Sequence, residues 1–551
     1  MKRIASILGR KEESIGSAAL VLISMVLTSR VLGLIRDRLL NARFDPRTQL
    51  DVYFAAFRLP NLFFELLVMG ALTSAFIPVF SKYISEGKER DAMKMTATLI
   101  NISLLILFAL SIPTFIWAKE ISQFLAPGFS PDKIEMMARF TRIMIFFQVP
   151  LLLVGNYFTG ILQSYNRFIV PALAPLVYNI GIILAILFLS GSLGLYAPVM
   201  GVGLGALLFC LIQVPLVAAV GYRHSFAADI HDPGVREVGK LIGPRTLGLA
   251  VSQIDSTVDL MMASLVGAGM ITYFNYAQQL QQLPVSLFGQ TIAQAALPTL
   301  STASAKEDKT HYKNTIVNAL HQILFFVLPI SVFFIVLRIP IIRLVFGASR
   351  FDWQATVLTG MTLSAFSISL PFQAAIHVLA RGFYAVFDTK TPVAVGVISI
   401  LLNTILSIVF VVLLRWPVWS LGLSTSIASI VNGTLLLILL DRRIGGFPRA
   451  HLLWSPVKMV VASVVMGIML YVPLKLFDQL VFDTTRTFGL IFLTGTAGVI
   501  GLGTYFFLSW VFAIGEVRSV IALLSKVRKP KAVLLAPAQE SINGSNAETV
   551  G

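Results

Sequence analysis

Apolar runs long enough to cross a hydrocarbon core of about 30 Å recur along the whole chain, separated by short polar links. They occupy approximately 16–41, 50–81, 95–118, 134–164, 168–189, 195–222, 236–266, 270–302, 314–337, 355–386, 391–414, 416–440, 459–474 and 487–515. The pattern predicts an all-α polytopic membrane protein with about 14 transmembrane helices. The first run follows Lys2, Arg3, Arg10 and Lys11 and continues with no small-residue cleavage pattern, so it reads as an uncleaved span and not as a secretion signal.

Composition agrees with the pattern. The 551 residues are 56% hydrophobic and only 13% charged, with a mean hydropathy of +0.83, whereas a soluble domain carries about a quarter charged residues. The formal charge of +16 would suit nucleic acid, but the basic residues fall mostly in the links and the tail, so no nucleic-acid partner is expected and membrane lipids are. With the N-terminus inside, inner links and tails hold 25 Lys and Arg against 10 in outer links, which predicts both termini in the cytoplasm. Cys210 is the only cysteine, so an intramolecular disulfide and a cysteine metal cluster are both excluded.

The chain repeats itself. AFIPVFS at 75–81 parallels AALPTLS at 295–301, and FRLP at 57–60 resembles QQLP at 281–284, an offset of about 220 residues. Spans 1–6 and 7–12 therefore read as two six-helix lobes, residues 1–222 and 223–441. An even number of crossings makes them parallel repeats, with a substrate site between them. Spans 13 and 14, in 442–515, are two extra C-terminal helices. Residues 516–551 form a cytoplasmic tail with an amphipathic start near Val517–Val527 and a polar, disordered end.

Eight arginines lie inside predicted spans, among them Arg30, Arg36, Arg38, Arg58 and Arg245. A charge at the bilayer centre costs roughly 2.5 to 3.5 kcal/mol on insertion scales, so such residues normally face a protein interior, a water-filled cavity or a ligand. Arg30 and Asp37 are seven apart on nearly one face of span 1, with Arg36 projecting elsewhere; Arg58 and Glu65 have the same spacing on span 2. The plain reading is a set of structural ion pairs, with Arg38 snorkelling to the interface. Three arginines against two acids leave positive charge over, which favours an anion site at Arg30, Arg36 and Arg58 supported by Asp37 and Glu65.

Two weaker patterns accompany it. Gln279, Gln282 and Gln290 share one stripe of span 8, as expected either for solute contact or for interhelical hydrogen bonding. Asp255 and Asp259 share a face of span 7. Two carboxylates so placed in low dielectric call for a proton, a cation or an arginine. Asn403, Ser407 and Thr425 are the oxygen-bearing residues expected to face Asp259, so the set predicts sodium or proton coupling, with pairing to Arg245 as the structural alternative. No other cofactor is expected.

SRVLGLIRD at 29–37, FRLPNLF at 57–63, ALTSAFIPVFS at 71–81, ALPTLS at 296–301 and RGFYAVFDTKTPV at 381–393 together resemble the MurJ (MviN) family of the multidrug/oligosaccharidyl-lipid/polysaccharide exporter superfamily. The resemblance covers spans 1 to 12. It implies a fourteen-helix flippase of the bacterial inner membrane that moves lipid II, a polyprenyl-diphosphate-linked glycan, outward by alternating access in peptidoglycan biosynthesis, with cell-wall synthesis proteins as partners. The family's cavity arginines match Arg30, Arg36 and Arg58. The family often has further arginines shortly after LPN and in span 8, where this chain has Phe64 and Gln279; Arg245, in GPRTLGLA, is the candidate to restore one charge. The competing reading is a cation-coupled exporter of polysaccharide-lipid or drugs with the same architecture. An enzyme is not expected, since the six histidines are scattered and no link is long enough for a catalytic domain.

Overall fold

The computed structural model describes residues 15–69, 75–226, 229–480 and 487–517, and all of its regular structure is helical, with no strand among those residues. In chain order, α1 (Ile15–Arg43) leads through a π-helical turn (Pro46–Leu50) to α2 (Asp51–Ala56) and α3 (Arg58–Phe64). A second π turn (Glu65–Met69) precedes α4 (Ile77–Ser85), α5 (Glu89–Ile116), α6 (Ala118–Leu125), α7 (Pro131–Phe147) and α8 (Val149–Ser164). There follow α9 (Ile169–Leu193), α10 (Tyr196–Leu211), α11 (Val214–Ala219), α12 (Pro233–Val266) and α13 (Met270–Pro284), then a third π turn (Val285–Gln290). The chain continues with α14 (Thr291–Ala305), α15 (Lys309–Val336), α16 (Arg338–Phe346), α17 (Trp353–Ser367), α18 (Leu370–Ala385) and α19 (Lys390–Ile408), and a fourth π turn (Val409–Leu413). It closes with α20 (Trp419–Ile444), α21 (Arg449–Leu480) and α22 (Thr487–Val511).

Among the described residues, nine helices are long and apolar enough to cross a membrane, and α17 with α18, bent by 43°, makes a tenth. The protein is thus an all-α, multi-pass membrane protein. Of the other four expected spans, 16–41, 50–81 and 236–266 include residues or side chains outside those described, and 270–302 is helical. These spans carry Arg30, Arg36 and Arg38, Arg58 and Glu65, Asp255 and Asp259, and the glutamines of α13. Two of them are also broken. The stretches after FRLP and QQLP each pass from α to π at residues 65 and 285, the repeat offset, and π turns of this kind commonly mark functional sites.

Helix starts follow local chemistry. Asp232 accepts hydrogen bonds from the N–H groups of Gly234 and Val235 ahead of α12, whose first residue is Pro233, and Asp352 caps α17 through the N–H of Ala355.

By internal contacts the chain divides into two units. Unit 1 comprises Met1–Leu283, Leu337–Gln373 and Asp388–Leu436. Its core includes Phe76, Phe80, Met95, Leu153, Tyr157 and Ile161, with Tyr157 set edge-on to Phe76 at 5.3 Å. Glycine lets α9 and α10 touch backbone to backbone: a Cβ on Gly181 would lie 2.6 Å from the Cα of Gly205. Unit 2 comprises Pro284–Val336, Ala374–Phe387 and Leu437–Gly551. There α15 packs on α21 and α22, with Gly467 against Val332 and the Tyr505 hydroxyl donating to the carbonyl of Phe325 at 2.8 Å.

Candidate functional site

All of the site lies within unit 1. A cavity of about 400 Å³ is lined by Arg36 and Arg58, by the rings of Tyr53, Phe54, Phe57, Tyr178 and Phe274, and by the amides of Asn61, Gln148, Asn275 and Gln278. Among the described residues, no carboxylate lines it. A neighbouring cavity of about 480 Å³ shares Arg36 and adds Arg30, Asn156, Thr159, Gln163, Asn179 and Gln279. Arg36 is therefore the cation common to both.

Arg36 is fixed from two sides. Its Nε donates to Asp37 Oδ1 at 2.9 Å and a terminal nitrogen lies 2.8 Å from the same oxygen, while another donates to Asn179 Oδ1 at 3.2 Å. Asn179, in an apolar stretch of α9, also donates to the Ser29 side chain at 3.3 Å and so ties α9 to α1. Asp37 is 1% exposed, and Gln279 of α13 lines the second cavity together with Arg36. The face reading of span 1 is thus corrected: the adjacent Arg36, not Arg30, pairs with Asp37, and Asn179 of α9 holds the same guanidinium from the other side. Arg30 is exposed on the wall of the second cavity.

Arg58 and Glu65 are not in direct contact either. Gln253 stands between them: Arg58 donates to Gln253 Oε1 at 2.7 Å and to the Gln253 carbonyl, and Gln253 Nε2 donates to Glu65. Arg58 Nε also donates to Thr257 Oγ1 at 2.9 Å, so α3 is tied to α12 by a guanidinium that still lines the cavity. Phe64 packs against the apolar core, which accounts for the lack of a cation there. Arg245 falls in α12, but its side chain lies outside the described residues. Gln282 is half-buried and lines neither cavity, and Gln281 instead donates to Gln373.

Next to the cavity-lining residues Tyr53, Ile271 and Asn275, a polar closure joins α1–α2 to the starts and ends of α13, α16 and α17. Asp51, fully buried, accepts from the N–H of Gly269 at 2.5 Å, the N–H of Thr272 at 2.8 Å and the Thr272 hydroxyl at 2.7 Å. Beside it the Tyr276 hydroxyl donates to Asn41 Oδ1 at 3.0 Å, Asn41 Nδ2 donates to the Phe346 carbonyl at 3.1 Å, and the Tyr276 and Phe346 rings stack at 4.2 Å. Arg47 pairs with Asp352. Arg38 is part of this closure and does not merely snorkel: it donates to the Leu344 carbonyl in the last turn of α16. None of these closure roles except that of Arg38 touches a residue singled out in the sequence, although Asp51 and Asn41 are polar residues at the edges of apolar runs.

On α12, Asp255 and Asp259 both receive the Asn403 amide, at 2.8 and 3.4 Å. Asn403 is thus brought to the pair from α19. Ser407 instead shares a hydrogen bond with Ser424 at 2.8 Å, and Thr425 donates back to Leu421 at 3.0 Å. Among the described residues, no group of three or more His, Cys, Asp or Glu gathers into a metal site. Asn179, Gln253 and Thr257 are the site residues that periodicity missed; the first, an amide inside an uninterrupted apolar run, is a signal the sequence does carry.

Residues 41–490 match the family model described as lipid II flippase MurJ. A probable lipid II flippase MurJ of Bdellovibrio bacteriovorus is 28% identical over 528 residues, covering 94% of this chain and 99% of its own length. A solved lipid II flippase MurJ in an inward closed conformation superposes with a TM-score of 0.74 at 27% identity, over 91% of this chain and 100% of the other. A multidrug-resistance MATE family transporter of the MOP superfamily, in its inward-facing conformation, shares the fold with a TM-score of 0.63 at 14% identity, over 78% and 98% of the two chains. The chain belongs to the lipid II flippase MurJ family.

Proposed function

We propose that this protein flips lipid II from the inner to the outer leaflet of the bacterial inner membrane by alternating access, the two six-helix halves acting as parallel repeats around the arginine cavity. The observation that carries the reading is a cavity with Arg36 and Arg58 in its wall and, among the described residues, no carboxylate. A diphosphate presents oxygens matched to the guanidinium fork, and a glycan suits the aromatic rings and amides around it. An exporter of organic cations would instead need acidic lining. Arg30 extends the cationic surface into the second cavity, with Asn179 holding the Arg36 guanidinium in place.

The excess of Lys and Arg in the inner links puts both termini in the cytoplasm, so the closure at Asp51 faces outward and the described state would receive substrate from inside. Asp255, Asp259 and Asn403 are the candidate coupling site. Turning the Asn403 amide would set its oxygen beside two carboxylates, a donor set suited to sodium or, with one carboxyl protonated, to a proton. Cell-wall synthesis proteins are the partners this activity calls for.

The test is native mass spectrometry of gently extracted protein. A co-purifying polyprenyl-diphosphate glycan, lost on raising salt, is the expected result; a bound organic cation, or no phosphate-bearing lipid at any salt, contradicts the proposal.

A further inference from the structure

Unit 2 contains a cavity of about 490 Å³ enclosed by α15, α21 and the residues that follow α22, sharing no residue with the arginine cavities. Its wall carries both signs of charge. Lys458 lies on α21; Glu516 follows α22, with its Oε1 3.5 Å from Nδ1 of the buried His321 of α15. Asn318, Gln322 and Ser455 add uncharged polar groups. Lys458 Nζ donates to the Phe512 carbonyl at 2.9 Å and lies 5.8 Å from the centre of the Trp454 ring, which leaves N–H donors of the ammonium for a ligand.

An apolar shelf adjoins this polar chamber. A second cavity, of about 380 Å³, is lined by Arg449, Ala450, Leu453, Trp454 and Val457, sharing Ala450 and Trp454 with the first. Beyond it Val460, Val461, Val464 and Ile468 are exposed, so apolar surface runs along α21 from Leu453 to Ile468, about 22 Å of helix rise. An occupant that fits both parts is polar at one end and apolar over the length of an acyl chain. It is an amphiphile.

The charges select its head group. A phosphate suits Lys458, with Arg449 beside the shelf. A net-anionic head group would meet Glu516 unfavourably, whereas a primary ammonium can donate to Glu516, Asn318 and Gln322; a quaternary ammonium has no N–H to donate. We propose that this chamber seats the head group of a phospholipid bearing a primary amine, phosphatidylethanolamine in class, with one acyl chain laid along α21. The site is separate from lipid flipping and does not depend on the reading of the arginine cavity.

The experiment is native mass spectrometry of the full chain offered equal amounts of phosphatidylethanolamine, phosphatidylcholine and phosphatidylglycerol with identical acyl chains. The expected result is about tenfold greater retention of phosphatidylethanolamine, the effect of one charge-assisted hydrogen bond. Lys458→Gln and Glu516→Gln should each erase that preference while melting in lipid-free detergent at the parental temperature. Equal retention of the three lipids, as for annular lipid, would overturn the proposal. So would a preference for phosphatidylglycerol, or variants that keep the parental preference. The preference of the unaltered protein decides the matter even if a variant fails to fold.

Discussion

Asp51 accepts hydrogen bonds from both the N–H and the hydroxyl of Thr272, and with the N–H of Gly269 it caps the start of α13 from the neighbouring α2. The arrangement uses the positive end of a helix as a lock. A buried carboxylate with three donors is stable while the two segments touch, and separation must hydrate all of these groups at once. The contact is therefore suited to a two-position gate more than to a sliding one.

Asp51→Ala leaves the Gly269 and Thr272 N–H groups unpaired, at about 1–3 kcal/mol for the sealed arrangement. The gate should open more often. In a Cys210→Ala background, Asn275→Cys should be labelled by an impermeant thiol reagent from outside several-fold faster with Asp51→Ala than without it. Unchanged labelling would mean that Tyr276, Asn41 and Arg47 hold the closure without Asp51.

Much of this was legible in the chain. The all-helical, membrane-spanning architecture and the concentration of arginine in α1 and α3 follow from periodicity and from the cost of charge in lipid. What periodicity could not give is the partner of each charge. Spacing put Arg30 with Asp37 and Arg58 with Glu65, but a guanidinium reaches farther than one helix face, and helices packed alongside supply competitors. Asn179 from α9 draws Arg36 toward Asp37, and Gln253 from α12 inserts between Arg58 and Glu65. The closure was hidden for a related reason: two of its acceptors are the backbone carbonyls of Leu344 and Phe346, which no side-chain pattern reveals.

Gly205 tests the packing of α9 on α10. A Cβ there would sit 2.5 Å from the Tyr178 carbonyl oxygen, and backbone cannot give way as a flexible side chain does. Gly205→Val should cost about 1–3 kcal/mol and lower the melting temperature in detergent, and because Tyr178 lines the arginine cavity it should slow transport as well. Gly191→Ala, where nothing lies within 4 Å, is the control and should melt as the parent does.

The coupling site makes a separate prediction. If sodium or a proton at Asp255 and Asp259 drives return of the empty carrier, Asp259→Asn and Asn403→Ala should slow turnover while substrate binding stays near the parental level. Lipid flipping in proteoliposomes under imposed sodium and proton gradients measures this. Parental rates for Asp259→Asn under every gradient remove the aspartate pair from the mechanism.

The central claim is that Arg36 grips the diphosphate and does not simply balance Asp37. Removing Arg36 alone leaves a carboxylate with 1% exposure unpaired, which by itself can cost about 3–5 kcal/mol and mimic a transport defect. The decisive variant is therefore Arg36→Ala combined with Asp37→Asn, which keeps the interior neutral. It should reach parental abundance in the membrane, yet fail to complement cells depleted of their own lipid II flippase, and Arg36→Lys should complement only in part. Full complementation by the double variant at normal abundance would contradict the account and leave Arg36 as half of a structural pair.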